Sequence, residues 1–189
     1  MPCSFTKSSM LDKTLNIYLI GYRGSGKTSV GKTLARLLNR TFLDMDIEAV
    51  QASGMNIHDM VARHGWEAFR RLEADIVRKV ALRNGHVIAT GGGVVLDADN
   101  VQRMKSSGRV IWLRIRHETA RIRVAGDPAT ADQRPGLTAA GCMDEVESVM
   151  RDRAPLYEKA SDLTVDTDDL DIETICRHIL SVLASTEAV

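Results

Sequence analysis

This chain is organised around the stretch GYRGSGKT, residues 21–28, which fits the phosphate-loop pattern of glycine, four residues, and Gly-Lys-Ser/Thr. Before it, residues 16–20 form a short apolar run typical of a strand. After it, apolar residues recur at helical spacing, namely Val30, Leu34, Leu37 and Leu38. Because a chance match in a chain this long is roughly one per cent or less, the motif with its strand and helix predicts a nucleotide site. The alternative is a glycine turn before an ordinary amphipathic helix.

The residue types of this loop suit a polyphosphate. Glycines let backbone N–H groups approach the anion, and the new helix directs its positive end at it. Lys27 can reach the terminal phosphates, and the Thr28 hydroxyl can bind Mg²⁺. A dinucleotide fingerprint would need glycine where Ser29 stands, and the His-Arg-Asp and Asp-Phe-Gly motifs of protein kinases are missing from the sequence. The predicted nucleotide-binding residues of the loop are Gly24, Ser25, Gly26, Lys27, Thr28 and Ser29.

Composition narrows the function further. With 189 residues the chain is long enough for one domain with a full core. Its 25 Lys and Arg residues balance 25 Asp and Glu residues, so we expect no nucleic-acid or membrane partner. Cys3, Cys142 and Cys176 lack metal or redox spacing, which favours reduced thiols in a cytoplasmic protein. We expect residues 1–14 to form a flexible tail, because they lack the apolar centre of a signal peptide.

Strand and helix patterns alternate along the rest of the chain. Further strands are predicted at residues 40–43, 86–90, 109–115 and 163–165. Helices are predicted at residues 28–39, 47–53, 57–64, 66–82, 97–107, 117–125, 143–160 and 171–184, with breaks at Gly54 and Gly65 and a kink or break at Pro155. This alternation predicts an α/β fold with a parallel sheet between two layers of helices.

Two carboxylates follow the second predicted strand, at Asp44 and Asp46. Ligands of parallel sheets bind at the carboxyl ends of the strands, so Asp44 is a candidate Mg²⁺ ligand, directly or through water. Asp46 either faces an acceptor hydroxyl or caps a helix that begins at Ile47. The strand before Gly91 carries no carboxylate at its end, which makes Asp44 the better magnesium candidate.

Several later stretches are ambiguous when taken singly. Gly91, Gly92 and Gly93 keep the backbone bare for a turn or a ligand. Arg70 and Glu73 share a helix face, which alone is most often a surface ion pair. Residues 126–137 are mostly small or polar and are interrupted by glycine and proline, as is typical of a mobile lid. The cluster Asp166, Asp168, Asp169 and Asp171 is most simply a solvated loop and helix cap.

Together these motifs resemble the shikimate kinase family, within the nucleoside-monophosphate-kinase-like phosphate-loop group. The resemblance covers about residues 15–182 and rests on order and spacing. Its motifs are the phosphate loop, Asp44-Met45-Asp46, Phe69-Arg70-Arg71-Leu72-Glu73, Thr90-Gly91-Gly92-Gly93-Val94, Arg134-Pro135, and Arg153-Ala154-Pro155-Leu156-Tyr157. It implies a three-layer α/β/α fold whose five-stranded parallel sheet has the order 2-3-1-4-5. The implied kinase domain is residues 15–185, with a substrate-binding subdomain at 46–81 and a lid at 126–137.

The resemblance also implies an activity, the ATP-dependent phosphorylation of the 3-hydroxyl of shikimate on the route to chorismate and the aromatic amino acids. By this resemblance, Lys27 and Thr28 would bind the ATP phosphates and Mg²⁺, with Asp44 near the ion, and Arg134 would close from the lid onto the phosphates. Arg123, with Arg121 as the alternative, would lie against adenine. Asp46 would bind the shikimate hydroxyls and is the candidate base, and the shikimate carboxylate would be bound by Arg70 and Arg153 beside Gly91, Gly92 and Gly93. A monomer is expected.

Two departures from the family pattern stand out. Gly136 interrupts the usual Arg-Pro-Leu-Leu of the lid and should make it more flexible. Trp66 replaces a common glutamate and should alter local packing. Two other functions stay open, another small hydroxy-acid kinase such as a gluconate kinase, and a nucleotide-binding module without catalysis.

Overall fold

Five parallel strands form one sheet in the order β2-β3-β1-β4-β5 in the computed structural model, which describes residues 14–126 and 145–186. The strands are β1 (Asn16–Ile20), β2 (Thr41–Asp44), β3 (His86–Ala89), β4 (Gly108–Arg114) and β5 (Leu163–Asp166). Every neighbouring pair is parallel, with Tyr18 opposite Ile88 on one side and Val110 on the other. The strand order predicted from the resemblance is confirmed.

Seven α-helices connect or follow these strands in the described part of the chain. They are α1 (Lys27–Leu38), α2 (Met45–Ser53), α3 (Ile57–Ala81), α4 (Ala98–Ser107), α5 (His117–Ala125), α6 (Glu145–Ala160) and α7 (Ile172–Thr186), with a 3₁₀ turn at Val94–Leu96. The break predicted at Gly65 is confirmed as a kink, because its φ of 79° and ψ of 166° interrupt the helical geometry of α3. Pro155 lies inside α6 and does not end it.

The core has two halves, one on each face of the sheet. Along β1, Ile17 and Leu19 pack with residues of α1 and α7, whereas Tyr18 and Ile20 pack with residues of α3, α4 and α6. This alternation is the period-2 pattern of a strand that is covered on both faces. The three-layer prediction is therefore confirmed. Within the part of the chain that the structure describes, no helix has the length and apolar character to cross a membrane.

The topology determines where a site can form. The carboxyl ends of β1, β2 and β3 lie at the same edge of the sheet because the strands are parallel. Gly21 follows β1, Met45 follows β2 and Thr90 follows β3. The phosphate loop, the two aspartates and the glycine turn thus meet at one edge. The sequence predicted this position for the aspartates, and the family resemblance predicted it for the glycine turn.

Candidate active site

The phosphate loop lies between β1 and α1, and two of its glycines have left-handed backbone geometry. Gly24 has a φ of 80° and Gly26 a φ of 90°, which a residue with a Cβ rarely adopts. The Lys27 Nζ donates hydrogen bonds to the carbonyl oxygens of Gly21 and Tyr22, each at 2.9 Å. Lys27 is only 8% exposed, so its ammonium lies along the loop itself.

Thr28 and Asp44 are joined at the base of the same loop. The Thr28 hydroxyl donates to Asp44 Oδ2 at 2.9 Å, and Asp44 Oδ1 accepts from the backbone N–H of Asp46 at 3.0 Å. Asp44 is therefore the N-cap of α2, which begins at Met45. The alternative in which Asp46 caps a helix that begins at Ile47 is wrong, and the Asp46 side chain is not used as the cap.

The pair of Thr28 and Asp44 fits Mg²⁺ by its chemistry. Both side chains offer hard oxygen donors, and their oxygens lie 2.9 Å apart. Across residues 14–126 and 145–186, no cluster of three His, Cys, Asp or Glu side chains could hold a metal ion. One carboxylate and one hydroxyl suit a magnesium ion that takes its other ligands from phosphates and water.

A cavity of about 680 Å³ opens over the loop. Its lining includes all six predicted loop residues, both aspartates and one arginine of α5, namely Gly24, Ser25, Gly26, Lys27, Thr28, Ser29, Asp44, Asp46 and Arg123. We call it the nucleotide cavity. Arg121, the less favoured of the two arginines for adenine, is exposed and does not line it.

Arg123 connects the phosphate loop with the loop after β5. Its guanidinium donates to the carbonyl oxygens of Gly24 at 3.2 Å, Thr167 at 3.0 Å and Asp168 at 3.3 Å. Asp168 is held in turn by the backbone N–H of Arg116 at 3.0 Å, and its side chain is only 10% exposed. The prediction of a solvated acidic loop is thus wrong at Asp168, while Asp171 does cap α7 by accepting from the Thr174 N–H.

A second cavity, which we call the acceptor cavity, lies beside the first. Its lining includes every predicted acceptor residue, namely Asp46, Arg70, Gly91, Gly92, Gly93 and Arg153. Tyr22, Arg23, Trp66 and Glu73 also line it, and the sequence did not single out these four for this site. Arg70 on α3 and Arg153 on α6 therefore converge, although they are remote in sequence.

Glu73 is the buried partner of Arg70. The Arg70 Nη1 lies 2.6 Å from Glu73 Oε2, and Glu73 is only 3% exposed. The interpretation of this pair as a surface ion pair is wrong. Burial raises the pKa of Glu73, although the charge of Arg70 and its hydrogen bond act to lower it. The Arg70 guanidinium also lies 5.3 Å from the ring centre of Trp66, which is a cation–π contact. Trp66, whose substitution for glutamate was expected to alter local packing, thus packs against Arg70.

Two glycines lie in close contact with the side chains of this ion pair. A side-chain carbon on Gly91 would lie 2.5 Å from Glu73 Oε1, and one on Gly93 would overlap the guanidinium of Arg70. Glu73 Oε1 is buried and has no hydrogen-bond partner in the described part of the chain. The bare backbone at 91–93 therefore lets the arginine and its carboxylate partner lie directly against the turn, and its role in ligand binding stays a prediction.

Tyr157 fixes the middle of the glycine turn. Its hydroxyl donates to the Gly92 carbonyl oxygen at 2.5 Å, and Arg153 Nη1 donates to the same oxygen at 3.1 Å. The ring is buried and stacks on Trp112 at 5.7 Å, and burial raises the pKa of Tyr157 to about 12, so it stays a donor at neutral pH. Because the peptide is planar and trans, the held carbonyl directs the Gly93 N–H to the opposite side.

Of the predicted lid, residues 126–137, the structure describes only the first residue. Gly126 follows α5, whereas Arg134 and the rest of residues 127–137 lie outside the described residues. The closing role of Arg134 stays a prediction.

The fold and the two adjoining cavities define a phosphate-loop kinase of small molecules. The chain belongs to the shikimate kinase family, because the family model described as "Shikimate kinase" matches residues 23–184. Shikimate kinase from Nitratidesulfovibrio vulgaris is 39% identical over 175 residues, which cover 93% of this chain and 99% of that protein. Shikimate kinase 2 from Dickeya chrysanthemi is 41% identical over 160 residues, which cover 85% and 91%.

A solved structure agrees with these relatives. Shikimate kinase from Acinetobacter baumannii, in complex with shikimate, superposes with a TM-score of 0.86 and 32% identity. The match covers 94% of this chain and 98% of that one.

Proposed function

We propose that this chain transfers the γ-phosphoryl group of ATP to the 3-hydroxyl of shikimate, giving shikimate 3-phosphate and ADP for aromatic amino acid biosynthesis. The observation that carries the proposal is the position of Asp46, which lines both the nucleotide cavity and the acceptor cavity. A carboxylate at that boundary faces the place where an acceptor hydroxyl would meet a terminal phosphate. The family to which the chain belongs supports the choice of ATP and shikimate.

On the nucleotide side, the loop and Lys27 would bind the phosphates. The Lys27 ammonium already lies against the loop, with two carbonyl oxygens at 2.9 Å. A phosphate oxygen in the cavity would recruit it, because a charged acceptor forms a stronger hydrogen bond than a carbonyl. Arg123, held at the cavity by three carbonyl oxygens, would lie against the adenine ring.

Thr28 and Asp44 would hold Mg²⁺ through the oxygens that now share a hydrogen bond. When bound, the ion would neutralise charge on the phosphate oxygens. Asp44 is well suited to the task because its other oxygen is fixed by the N-terminus of α2, which orients the carboxylate before any ion arrives.

On the acceptor side, Arg70 and Arg153 would bind the carboxylate of shikimate. Both guanidiniums are already oriented, Arg70 by Glu73 and Arg153 by the Gly92 carbonyl. Preoriented forks suit a planar carboxylate, since each can donate two parallel hydrogen bonds.

With the carboxylate held, Asp46 would accept a hydrogen bond from the 3-hydroxyl. It would either orient that hydroxyl or take its proton as the oxygen attacks phosphorus. In-line transfer would then depend on positioning and on charge neutralisation by Lys27 and, from the lid, Arg134. We also propose that the protein acts as a cytoplasmic monomer.

The test is ADP release measured with shikimate, quinate, gluconate and a nucleoside monophosphate as acceptors. Release that requires shikimate supports the proposal. Preference for gluconate would support the other hydroxy-acid kinase. Release that is slow and indifferent to every acceptor would support a nucleotide-binding module without catalysis.

A further inference from the structure

Two residues form the boundary between the nucleotide cavity and the acceptor cavity. Of all residues in the described ranges, only Arg23 and Asp46 line both. A phosphoryl group that leaves ATP and reaches an acceptor oxygen must cross this boundary. Asp46 already has a proposed role there, whereas the phosphate-loop pattern leaves the residue type at position 23 open.

The backbone on either side of Arg23 is held by hydrogen bonds. The carbonyl of Tyr22 accepts a hydrogen bond from Lys27, and the carbonyl of Gly24 accepts one from Arg123. A side-chain carbon on Gly92 would lie 3.9 Å from the Arg23 backbone nitrogen, so the phosphate loop and the glycine turn are in close approach here. Arg23 itself is half-buried.

The other cations of the site are confined to one cavity each. Lys27 and Arg123 line the nucleotide cavity only, whereas Arg70 and Arg153 line the acceptor cavity only. Arg23 is thus the one cation, within the described residues, that lines both. Its planar fork suits the oxygens of a phosphoryl group, over which the charge is spread during transfer.

We infer that Arg23 is a further catalytic residue, whose guanidinium binds the phosphoryl group during its passage and in the phosphorylated product. This inference rests on the proposed function. In the step, the bond between phosphorus and the β,γ-bridging oxygen breaks and a bond to the acceptor oxygen forms. The hydroxyl proton leaves to Asp46 or to solvent, and ADP departs. Arg23 takes no part in the proton transfer and contributes charge alone.

The test compares wild type with Arg23→Met, which keeps length but loses charge. We expect kcat to fall about 10- to 100-fold, the scale of one charged hydrogen bond in a transition state. The KM for shikimate should change less than about threefold, because its carboxylate binds at the other two arginines. Arg23→Lys should recover part of kcat, since it restores the charge without the fork.

Calorimetry gives a readout that a structural role would not move. Arg23→Met should weaken binding of shikimate 3-phosphate about tenfold and leave shikimate binding unchanged, on the scale of one charge-assisted hydrogen bond. Arg71→Met is the matched control, because Arg71 is exposed on α3, pairs with Glu67 and lines neither cavity. Should Arg23→Met fail to fold, Arg23→Gln replaces it.

Two outcomes would overturn the inference. One is an Arg23 variant with the kcat of wild type, and the other is equal loss of affinity for shikimate and its 3-phosphate. Wild-type turnover, measured in parallel, separates the two claims. If wild type phosphorylates shikimate and the variant does so equally well, only the role of Arg23 fails. If wild type does not phosphorylate shikimate, the proposed function fails and the inference fails with it.

Discussion

Replacing Arg153 by lysine tests how the acceptor is recognised. Arg153 donates to the Gly92 carbonyl through one nitrogen at 3.1 Å, which leaves the remainder of its fork for a carboxylate. Lysine keeps the charge but presents a point donor that cannot serve both partners. Loss of one hydrogen bond to a charged group costs about 1.5–3 kcal/mol, which corresponds to roughly a 10- to 150-fold lower kcat/KM for shikimate.

The assay crosses two enzymes with two acceptors. Wild type and Arg153→Lys are each given shikimate and its methyl ester, and the KM for ATP is measured with both. We expect the ester to be a poor substrate of wild type and the substitution to matter much less for it, because the ester lacks the charge that the fork binds. The KM for ATP should change little, since Arg153 lines the acceptor cavity alone.

The control is Arg151→Lys, two residues earlier on α6. Its side chain is 72% exposed and lies outside both cavities, so kinetics should match wild type. The reasoning is refuted if Arg153→Lys handles shikimate like wild type, or if its penalty is the same for the acid and the ester.

Three further predictions follow from the described contacts. Lys27→Ala should lower kcat by on the order of 10²- to 10³-fold with an unchanged circular dichroism spectrum, and near-normal turnover would contradict phosphoryl transfer. Tyr157→Phe keeps the stack on Trp112 but loses the bond to Gly92. The KM for shikimate should therefore rise about two- to tenfold. An unchanged KM would show that the Tyr157 hydroxyl does not contribute to shikimate binding. Because the folded-state pKa of Glu73 is raised, its protonation adds stability below the unfolded pKa, and this is lost as pH rises through the folded pKa. In urea unfolding, the stability of wild type relative to Glu73→Gln should fall as pH rises from 4 to 8, and a rising difference would contradict the sign.

Local patterns in the sequence predict most strands of the sheet and the edge at which the site lies. The apolar run at 16–20 forms β1 with the predicted bounds, and the helix predicted at 117–125 has the bounds of α5. Each depends on neighbours in sequence, whose period and turn residues are visible directly. Gly65 was predictable for the same reason, because glycine adopts the φ that breaks α3.

Contacts between distant elements were harder to predict. An Arg and a Glu three residues apart look the same on a buried helix face as on an exposed one, so the burial of Glu73 needed the fold. Whether Asp46 caps a helix depended on where α2 begins, a boundary that a pattern locates only to within a few residues. Tyr157 was part of a motif, but its partner Gly92 lies on another element.

Arg23 shows the same limit at the site itself. The sequence places it in the phosphate loop, yet nothing local indicates that the glycine turn comes within reach of its backbone. Its position between the cavities depends on β1 and β3 being neighbours in the sheet. By contrast, Arg70 and Arg153 were predicted to meet only through the family resemblance, and they do line one cavity.

The central claim is that the phosphoryl group of ATP reaches the 3-oxygen of shikimate. Phosphorus and proton NMR of the product test it most directly, with ATP, magnesium and shikimate as reactants. We predict one new phosphomonoester signal, coupled to the proton on carbon 3, that grows in step with ADP. A phosphate on another hydroxyl, or ADP that appears without any phosphorylated shikimate, would contradict the account.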